Sequence, residues 1–161
     1  MKRYISLISI ILTFLPIGFN RQQSESGTVH DIDGNVYKTV KIGNQWWMDG
    51  SLKENARGIA PDGWHIPSAQ DWEKLVKVLG GEDKVANKIK VGGSTGFNAY
   101  LSGGADFNGR YVYFDEYAMF WSSTAANEER AYHTGISQNN KWDKFAAKKD
   151  GRIHIRCIKD N

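Results

Sequence analysis

Residues Pro61–Leu75, PDGWHIPSAQDWEKL, combine a tight turn, a short extended segment and the start of a capped helix. Gly63 permits the turn, and Pro67 keeps the residues before it extended, because a residue that precedes proline avoids the α region. Ser68 suits the N-cap position, and Asp71 three residues later completes a weak capping box. The next apolar residues follow the i, i+3, i+4, i+7 spacing of one buried helix face: Trp72, Leu75, Val76 and Leu79.

The chain around this helix is dominated by strand and turn patterns, so we expect the helix to pack on a sheet. Gly80-Gly81 ends it, and residues 82–90 have the pattern of a second short helix. Thr28–Met48 predicts a three-stranded meander, since Asp33-Gly34 and Gly43-Asn44 are typical hairpin turns between alternating apolar and polar residues. The predicted fold class is α+β, a mixed, mostly antiparallel sheet with one main helix packed on it.

From residue 97 onward the chain is predicted to be all β. The expected strands are Tyr111–Phe114, Met119–Thr124, Ala131–Ile136, Trp142–Ala146 and Ile153–Ile158. The last two are predicted to pair with each other across an Asp150-Gly151 turn. Tyr111 and Tyr113 are predicted to share one face of their strand, because strand side chains alternate.

The N-terminus has a basic start followed by an apolar run that is shorter than a membrane span. This pattern predicts a signal peptide over residues 1–20, then a polar linker over 21–27, and one domain over 28–160. The alternatives are an uncleaved anchor, which would be the protein's only contact with a membrane, or a buried helix, which Pro16 disfavours. We therefore expect export to the periplasm, the cell surface or the medium.

The net charge and the cysteine content argue against a nucleic-acid-binding protein and against an internal disulfide. The formal net charge is +3, and two of the basic residues, Lys2 and Arg3, lie in the predicted signal peptide. What remains is too close to neutral for the electrostatic footprint of a nucleic-acid-binding protein. Cys157 is the single cysteine, so no internal disulfide can form, and its alternation with apolar residues predicts a buried, inert thiol.

The sequence contains no recognisable catalytic or metal-binding constellation, and we expect a non-enzymatic protein without cofactor or metal. The four histidines lack metal-ligand spacing, and Ser122-Ser123 lacks a nucleophile elbow. Asp31–Gly34 is similar to the start of a calcium loop, but the third acid and the closing glutamate are missing. A turn is the favoured interpretation of that segment.

Aromatic and amide side chains in the C-terminal half are the best candidates for a ligand site. Flat rings and amide groups suit sugars, which present an apolar face and a hydroxyl rim. The candidates are Tyr111, Tyr113, Tyr132, Trp142 and Asn139. The alternative for each ring is that it fills the core. Other tryptophans are assigned to the core: Trp46 or Trp47, Trp64, Trp72 and Trp121.

Several segments, in the same order along the chain, resemble motifs of the Fibrobacter succinogenes major paralogous domain family. They are Val29–Met48, Gly63–Ser68 with Trp72, Gly96–Gly104, Phe120–Thr124 and Ile155–Asp160. The resemblance implies a C-type-lectin-like fold and a place among bacterial surface and secreted proteins. The family has no established activity to carry over. The calcium-site motifs of sugar-binding lectins are absent from this sequence, so the resemblance implies a fold and not calcium-dependent sugar binding.

The chain departs from that family pattern between residues 49 and 60. Members usually carry a longer insert there, with an aromatic-rich helix and a final cysteine that is placed to bridge to the position of Cys157. Here the segment is short, and Ala60 occupies the position of that cysteine. The resemblance therefore implies the loss of one helix and one disulfide, and we expect reduced stability.

These observations favour an exported, non-catalytic binding module that recognises glycans. The alternative is an interaction or scaffold domain of a cell-envelope protein with no small-molecule ligand. Formylglycine-generating enzymes share a lectin-like core, but their chemistry needs reactive cysteines or a metal site. One cysteine near the C-terminus does not supply it. The expected partners are a glycan or a cell-envelope protein, and not a nucleic acid.

Overall fold

The structure is a computed structural model that describes residues 25–52 and 60–161. The predicted signal peptide, most of the predicted linker and most of the shortened 49–60 connection lie outside the described residues. The elements, in chain order, are β1 (Ser26–His30), β2 (Val36–Ile42), β3 (Gln45–Met48), β4 (Trp64–His65), α1 (Ala69–Val78), α2 (Glu82–Ile89), β5 (Gly104–Ala105), β6 (Tyr111–Val112), β7 (Tyr117–Ala125), β8 (Arg130–Ser137), β9 (Trp142–Lys148) and β10 (Ile158–Lys159). No helix in the described part of the chain is long and apolar enough to cross a membrane.

The first sheet has the order β1-β2-β3-β10-β4, and its strands pair antiparallel. The predicted meander is confirmed, with β1 starting at Ser26, inside the range predicted as linker. The Asp31–Gly34 segment is a turn. The Asp31 carboxylate accepts hydrogen bonds from the main-chain N–H groups of Asp33 and Asn35 and from the Tyr37 hydroxyl, so it serves the turn itself.

Helix α1 has both of the predicted end signals. Ser68 accepts a hydrogen bond from the Asp71 main-chain N–H, and the Asp71 carboxylate accepts one from the Ser68 main-chain N–H, which completes the capping box. At the other end Gly80 and Gly81 have φ angles of 93° and 100°, and their N–H groups donate to Lys77 and Val76. This is a Schellman ending, which needs residues that tolerate positive φ.

The core lies between the first sheet and a three-stranded sheet of order β7-β8-β9, and both helices contribute their apolar faces to it while their outer faces are exposed. The predicted inward face of α1 is buried, as are Val85, Ala86 and Ile89 of α2. The Trp72 ring centroid lies 4.8 Å from that of Trp47 in β3 and 5.8 Å from that of Phe120 in β7. The apolar face of the main helix thus contacts both sheets, and the α+β, mostly antiparallel class is confirmed.

Two C-terminal predictions are wrong. The strand predicted over Tyr111–Phe114 ends at Val112. Tyr113 has a φ of 59°, and its main-chain oxygen accepts hydrogen bonds from Glu116 and Tyr117, so a turn replaces the second half of the strand. Tyr111 and Tyr113 therefore do not share a strand face.

The predicted pairing of Trp142–Ala146 with Ile153–Ile158 does not occur. Strand β9 pairs instead with β8 across the turn after Ser137, where Asn140 adopts a φ of 58°. The last segment runs between the other elements: Arg152 bridges Ala105, His154 bridges Phe120, and Ile158 pairs with both Trp47 and His65. Both pairings are local, so loop length does not decide between them. The main-chain oxygens of Arg152, His154 and Cys157 instead accept hydrogen bonds from other elements, namely from Ala105, Trp121 and Met48, and a hairpin with β9 would compete for the same groups.

Candidate functional site

The three-stranded sheet presents different side chains on its two faces, because neighbouring residues of a strand point in opposite directions. One face contributes Phe120, Ile136 and Trp142 to the core. The opposite face carries aromatic and small apolar residues, with Trp121, His133 and Phe145 aligned across β7, β8 and β9. The two-stranded β5–β6 ribbon adjoins β7, and Gly103, just before the ribbon, bridges to Ala118 at the edge of that strand.

A cavity of about 430 Å³ lies between the ribbon and that face. Its lining consists of aromatic rings (Phe107, Tyr113, Tyr117, His133, Phe145), small or aliphatic residues (Ala105, Val112, Met119, Ala147, Gly151, Ile153) and charged residues (Asp106, Lys148, Asp150). The volume is in the range of small-molecule sites, about 300–1,000 Å³, and such sites are mostly apolar with a few polar groups. We call this feature the aromatic cavity.

The rings of the aromatic cavity form a continuous set of contacts. Tyr113 and Tyr117 meet edge to face at 5.8 Å between centroids, and Tyr117 meets Phe145 at 6.4 Å. Phe145 lies 5.5 Å from His133. Phe107, Tyr113 and Phe145 remain 66%, 54% and 47% exposed, so large aromatic faces are open to solvent at the mouth.

The surroundings in the sheet shift the pKa values of two polar side chains that line the aromatic cavity, Tyr117 and His133. Burial, and the Asp143 carboxylate that accepts a hydrogen bond from the Tyr117 hydroxyl, raise the pKa of Tyr117. His133 is 7% exposed, and its Nδ1 makes no hydrogen bond within the described part of the chain. Burial lowers the pKa of His133, so the imidazole is neutral at neutral pH.

Two of the three charged residues that line the aromatic cavity, Asp106 and Lys148, make local contacts. Asp106 accepts hydrogen bonds from the main-chain N–H groups of Asn108 and Arg110, and the Arg110 Nε lies 3.3 Å from the same carboxylate. The Lys148 Nζ lies 5.8 Å from the Phe107 ring centroid. The rim therefore offers polar groups of both signs rather than a field of one sign.

The structure brings one of the five sequence-predicted site residues to the aromatic cavity, namely Tyr113. Tyr111 is 79% exposed on the ribbon and does not line the cavity. Tyr132 lies under the Lys144 Nζ, which is 5.1 Å from its ring centroid, on the core-facing side of β8. Trp142 packs against the main core, 6.1 Å from Trp72, and Asn139 is exposed in the turn between β8 and β9.

Four ring residues of the aromatic cavity were not predicted: Phe107, Tyr117, His133 and Phe145. A strict alternation test along β8 and β9 would have separated Tyr132 and Trp142 from His133 and Phe145, because the two pairs lie on opposite faces. Phe107 lies in an irregular segment between β5 and β6, where no periodic signal identifies it. The turn at Tyr113 depends on a positive φ in a non-glycine residue, which sequence patterns do not indicate.

The described residues contain no group of three or more histidine, cysteine or acidic side chains that could hold a metal ion. Cys157 is fully buried, as predicted, and burial raises the pKa of its thiol to about 12. The thiol therefore stays protonated at neutral pH, which makes it a poor nucleophile.

The family model described as Fibrobacter succinogenes major domain matches residues 51–159. This range contains both helices, the ribbon, the three-stranded sheet and every residue that lines the aromatic cavity. No curated protein and no solved structure is similar enough to match the chain.

Proposed function

The chain belongs to the Fibrobacter succinogenes major domain family, and we propose that it is an exported, non-catalytic binding module that recognises glycans through the aromatic cavity. The proposal includes a C-type-lectin-like fold, which is supported by two short helices whose apolar faces share one core with antiparallel sheets. Export is supported by the basic start and apolar run of residues 1–20.

The observation that carries the proposal is the set of exposed ring faces around one cavity. Phe107, Tyr113 and Phe145 are each about half exposed or more, although large aromatic side chains gain most by burial. A sugar ring has an apolar face of C–H groups that can cover an aromatic ring, and its hydroxyl rim can meet nearby polar side chains. Asp106, Lys148 and Asp150 lie at the cavity and provide such partners.

A glycan array tests this proposal with a matched pair of variants. Phe145→Ala removes a cavity ring that is 47% exposed, and Phe114→Ala removes an equally large ring that is 66% exposed and does not line the cavity. We expect the folded protein to bind at least one glycan, Phe145→Ala to lose that signal, and Phe114→Ala to keep it. A folded sample with no signal above background would overturn the sugar proposal and leave the scaffold alternative.

Export needs its own test. Expression of the full chain in a bacterium with an intact secretion pathway, followed by cell fractionation and intact mass measurement, should give a shortened product outside the cytoplasm. A full-length product that stays in the cytoplasm would contradict this part of the proposal and would not affect the glycan site.

A further inference from the structure

We propose that the outer edge of strand β9 is a docking site for an extended acidic peptide segment of a partner protein, which adds as a further strand to the β7-β8-β9 sheet. The inference goes beyond the proposed glycan site, with which β9 shares Phe145, Ala147 and Lys148. Three observations carry it: outward main-chain groups without partners, an exposed ring face beside them, and lysines spaced along the strand.

The direction of the β9 main-chain groups follows from its register with β8. At one end of the ladder the Ser137 N–H donates to the Lys141 oxygen, and at the other end the Lys149 N–H donates to the Glu129 oxygen. Hydrogen-bonded and non-bonded pairs alternate in an antiparallel ladder, so the odd-numbered residues of β9 bond to β8 and the even-numbered ones point their main-chain groups away. In the second half of the strand the outward groups belong to Lys144, Ala146 and Lys148.

Most of these outward groups have no partner within the described part of the chain. This holds for the three N–H groups and for the Lys144 oxygen. The Ala146 oxygen accepts a bond of 3.3 Å from the Arg130 Nη1, and the Lys148 oxygen accepts one from the Gly151 N–H. Lys144 and Lys148 are exposed, so a peptide main chain can approach this row from solvent.

The opposite edge of the same sheet is already occupied. On β7 the Tyr117 oxygen accepts a hydrogen bond from the Gly103 N–H, and the Trp121 N–H donates to the His154 oxygen. These segments satisfy β7 in the way that an added strand would satisfy β9. The sheet can therefore be extended at β9 and not at β7.

The side chains of β9 select what the added strand carries on one face. Phe145 and Ala147 line the aromatic cavity, and Phe145 is 47% exposed. Residues that lie opposite each other in an antiparallel pair share a face, with Cβ atoms about 4.5–5.5 Å apart. Apolar peptide side chains opposite Phe145 and Ala147 would therefore cover the exposed ring.

The charges of β9 select the other face. Lys144 and Lys148 favour acidic residues opposite them, since opposite charges stabilise a cross-strand pair. The Lys144 Nζ lies 3.3 Å from the Glu73 carboxylate, but both side chains are exposed and such a pair contributes little. A second copy paired about Ala146 would set Lys144 opposite Lys148, which is destabilising. The edge thus fits an acidic, apolar, any, apolar, acidic pattern in a different chain.

A capped peptide with this pattern, acetyl-Glu-Val-Thr-Val-Glu-amide, is the probe, titrated into the full folded protein. Its threonine lies opposite Ala146, so the threonine N–H faces β9 and the valine N–H groups face solvent. An N-methyl group on the threonine should weaken binding about tenfold or more, since it removes a hydrogen bond and blocks close approach. An N-methyl group on the first valine is the matched control and should leave binding nearly unchanged. A peptide with lysine in place of both glutamates should also bind about tenfold more weakly.

A matched pair of proline variants tests the location. Ala146→Pro removes an N–H that does not bond to β8, and proline is tolerated at such edge positions. Thr28→Pro makes the same change on edge strand β1, where the Thr28 N–H points away from β2 because the neighbouring register bonds Lys41 to Glu25. Ala146→Pro should lose about tenfold or more in peptide affinity and Thr28→Pro should keep it. Melting temperatures check folding, and the N-methyl peptides decide the question if Ala146→Pro does not fold.

Four results would overturn the inference. They are no binding of the probe at about 1 mM, equal binding of the N-methyl-threonine peptide, equal binding of the lysine peptide, and full affinity in folded Ala146→Pro. A dimer in sedimentation that Ala146→Pro abolishes would assign the edge to a second copy instead. The glycan array decides the proposed function separately, because it contains no peptide.

Discussion

The guanidinium of Arg156 lies over the ring of Phe97, with its central carbon 4.4 Å from the ring centroid, and its Nη1 donates a hydrogen bond to the Phe97 main-chain oxygen. The same group donates to the main-chain oxygens of Met48 and Asn98, and Phe120 is 5.1 Å from it. Arg156 is 2% exposed, and burial lowers its pKa to about 10, so it is charged at neutral pH. Carbonyl dipoles and ring faces thus compensate a buried charge at the centre of the domain.

Arg156→Lys should therefore destabilise the fold. A lysine ammonium is a compact charge that cannot reproduce the planar fork, so at least one of the three carbonyls is left without its partner. Each buried acceptor without a partner costs about 1–3 kcal/mol, and we expect a decrease of at least that size in the free energy of unfolding measured in urea. Arg152→Lys is the matched control, since Arg152 is exposed. Equal stability of the two variants would show that the fork contributes nothing.

The Asp31 turn predicts a specific dependence of stability on pH. Burial alone would raise the pKa of Asp31, but hydrogen bonds from Asn35, Tyr37 and the main chain lower it from 3.8 to about 2. Because the folded-state pKa lies below the unfolded one, the contribution to stability is complete above about pH 4 and is lost as the pH falls through about 2. Urea unfolding midpoints between pH 5 and pH 2 should fall less steeply for Asp31→Asn than for wild type.

Asp62→Asn provides the control for the pH experiment, because Asp62 is an exposed turn residue. That variant should follow the wild-type curve. An Asp31→Asn curve that is also parallel to wild type would mean that the hydrogen bonds to Asp31 do not persist in solution.

The lost disulfide inferred from the family resemblance can be tested by restoring it. Ala60 packs against the small cluster that contains Cys157, Tyr37 and Met48, which is the neighbourhood that the pairing requires. Ala60→Cys should form a disulfide with Cys157 under oxidising conditions and stabilise the domain by about 2–5 kcal/mol, because the bond closes a long loop in the unfolded chain. Thermal melting with and without reductant measures the difference.

Ala60→Ser controls for the size of the new side chain. Intact mass after alkylation counts the remaining thiols. Two thiols that stay reactive in the oxidised, unfolded sample, with no rise in melting temperature, would show that positions 60 and 157 are not adjacent.

The parts of the fold that could be predicted from sequence depend on local signals. Gly43-Asn44 is the two-residue loop between β2 and β3, and the five-residue loop between β1 and β2 is closed by the Asp31 carboxylate with Gly34 at positive φ. Ser68 with Asp71 fixes the start of α1 within four residues. Such signals act between residues that are close in sequence, so they specify the same local structure whatever the tertiary arrangement.

The parts that could not be predicted depend on distant partners. Residues 152–158 contact four separate elements, β5, β7, β3 and β4, through single bridges, although their pattern of alternating apolar residues resembled that of an ordinary strand. Both faces of β8 carry ring residues, and only the position of α1 makes the Tyr132 face the inner one. The aromatic cavity could not be located without that knowledge.

Filling the aromatic cavity tests most directly whether the ligand binds there. Ala147 lines the cavity and is partly buried on β9, so Ala147→Trp should occupy the space without removing any existing contact. Glycan titration of the wild-type protein and of folded Ala147→Trp, with melting temperature as the check on folding, is the measurement. Affinity should fall by about 100-fold or more with the fold retained, because the ligand would have to displace a buried side chain. Unchanged affinity in the filled variant would contradict this prediction.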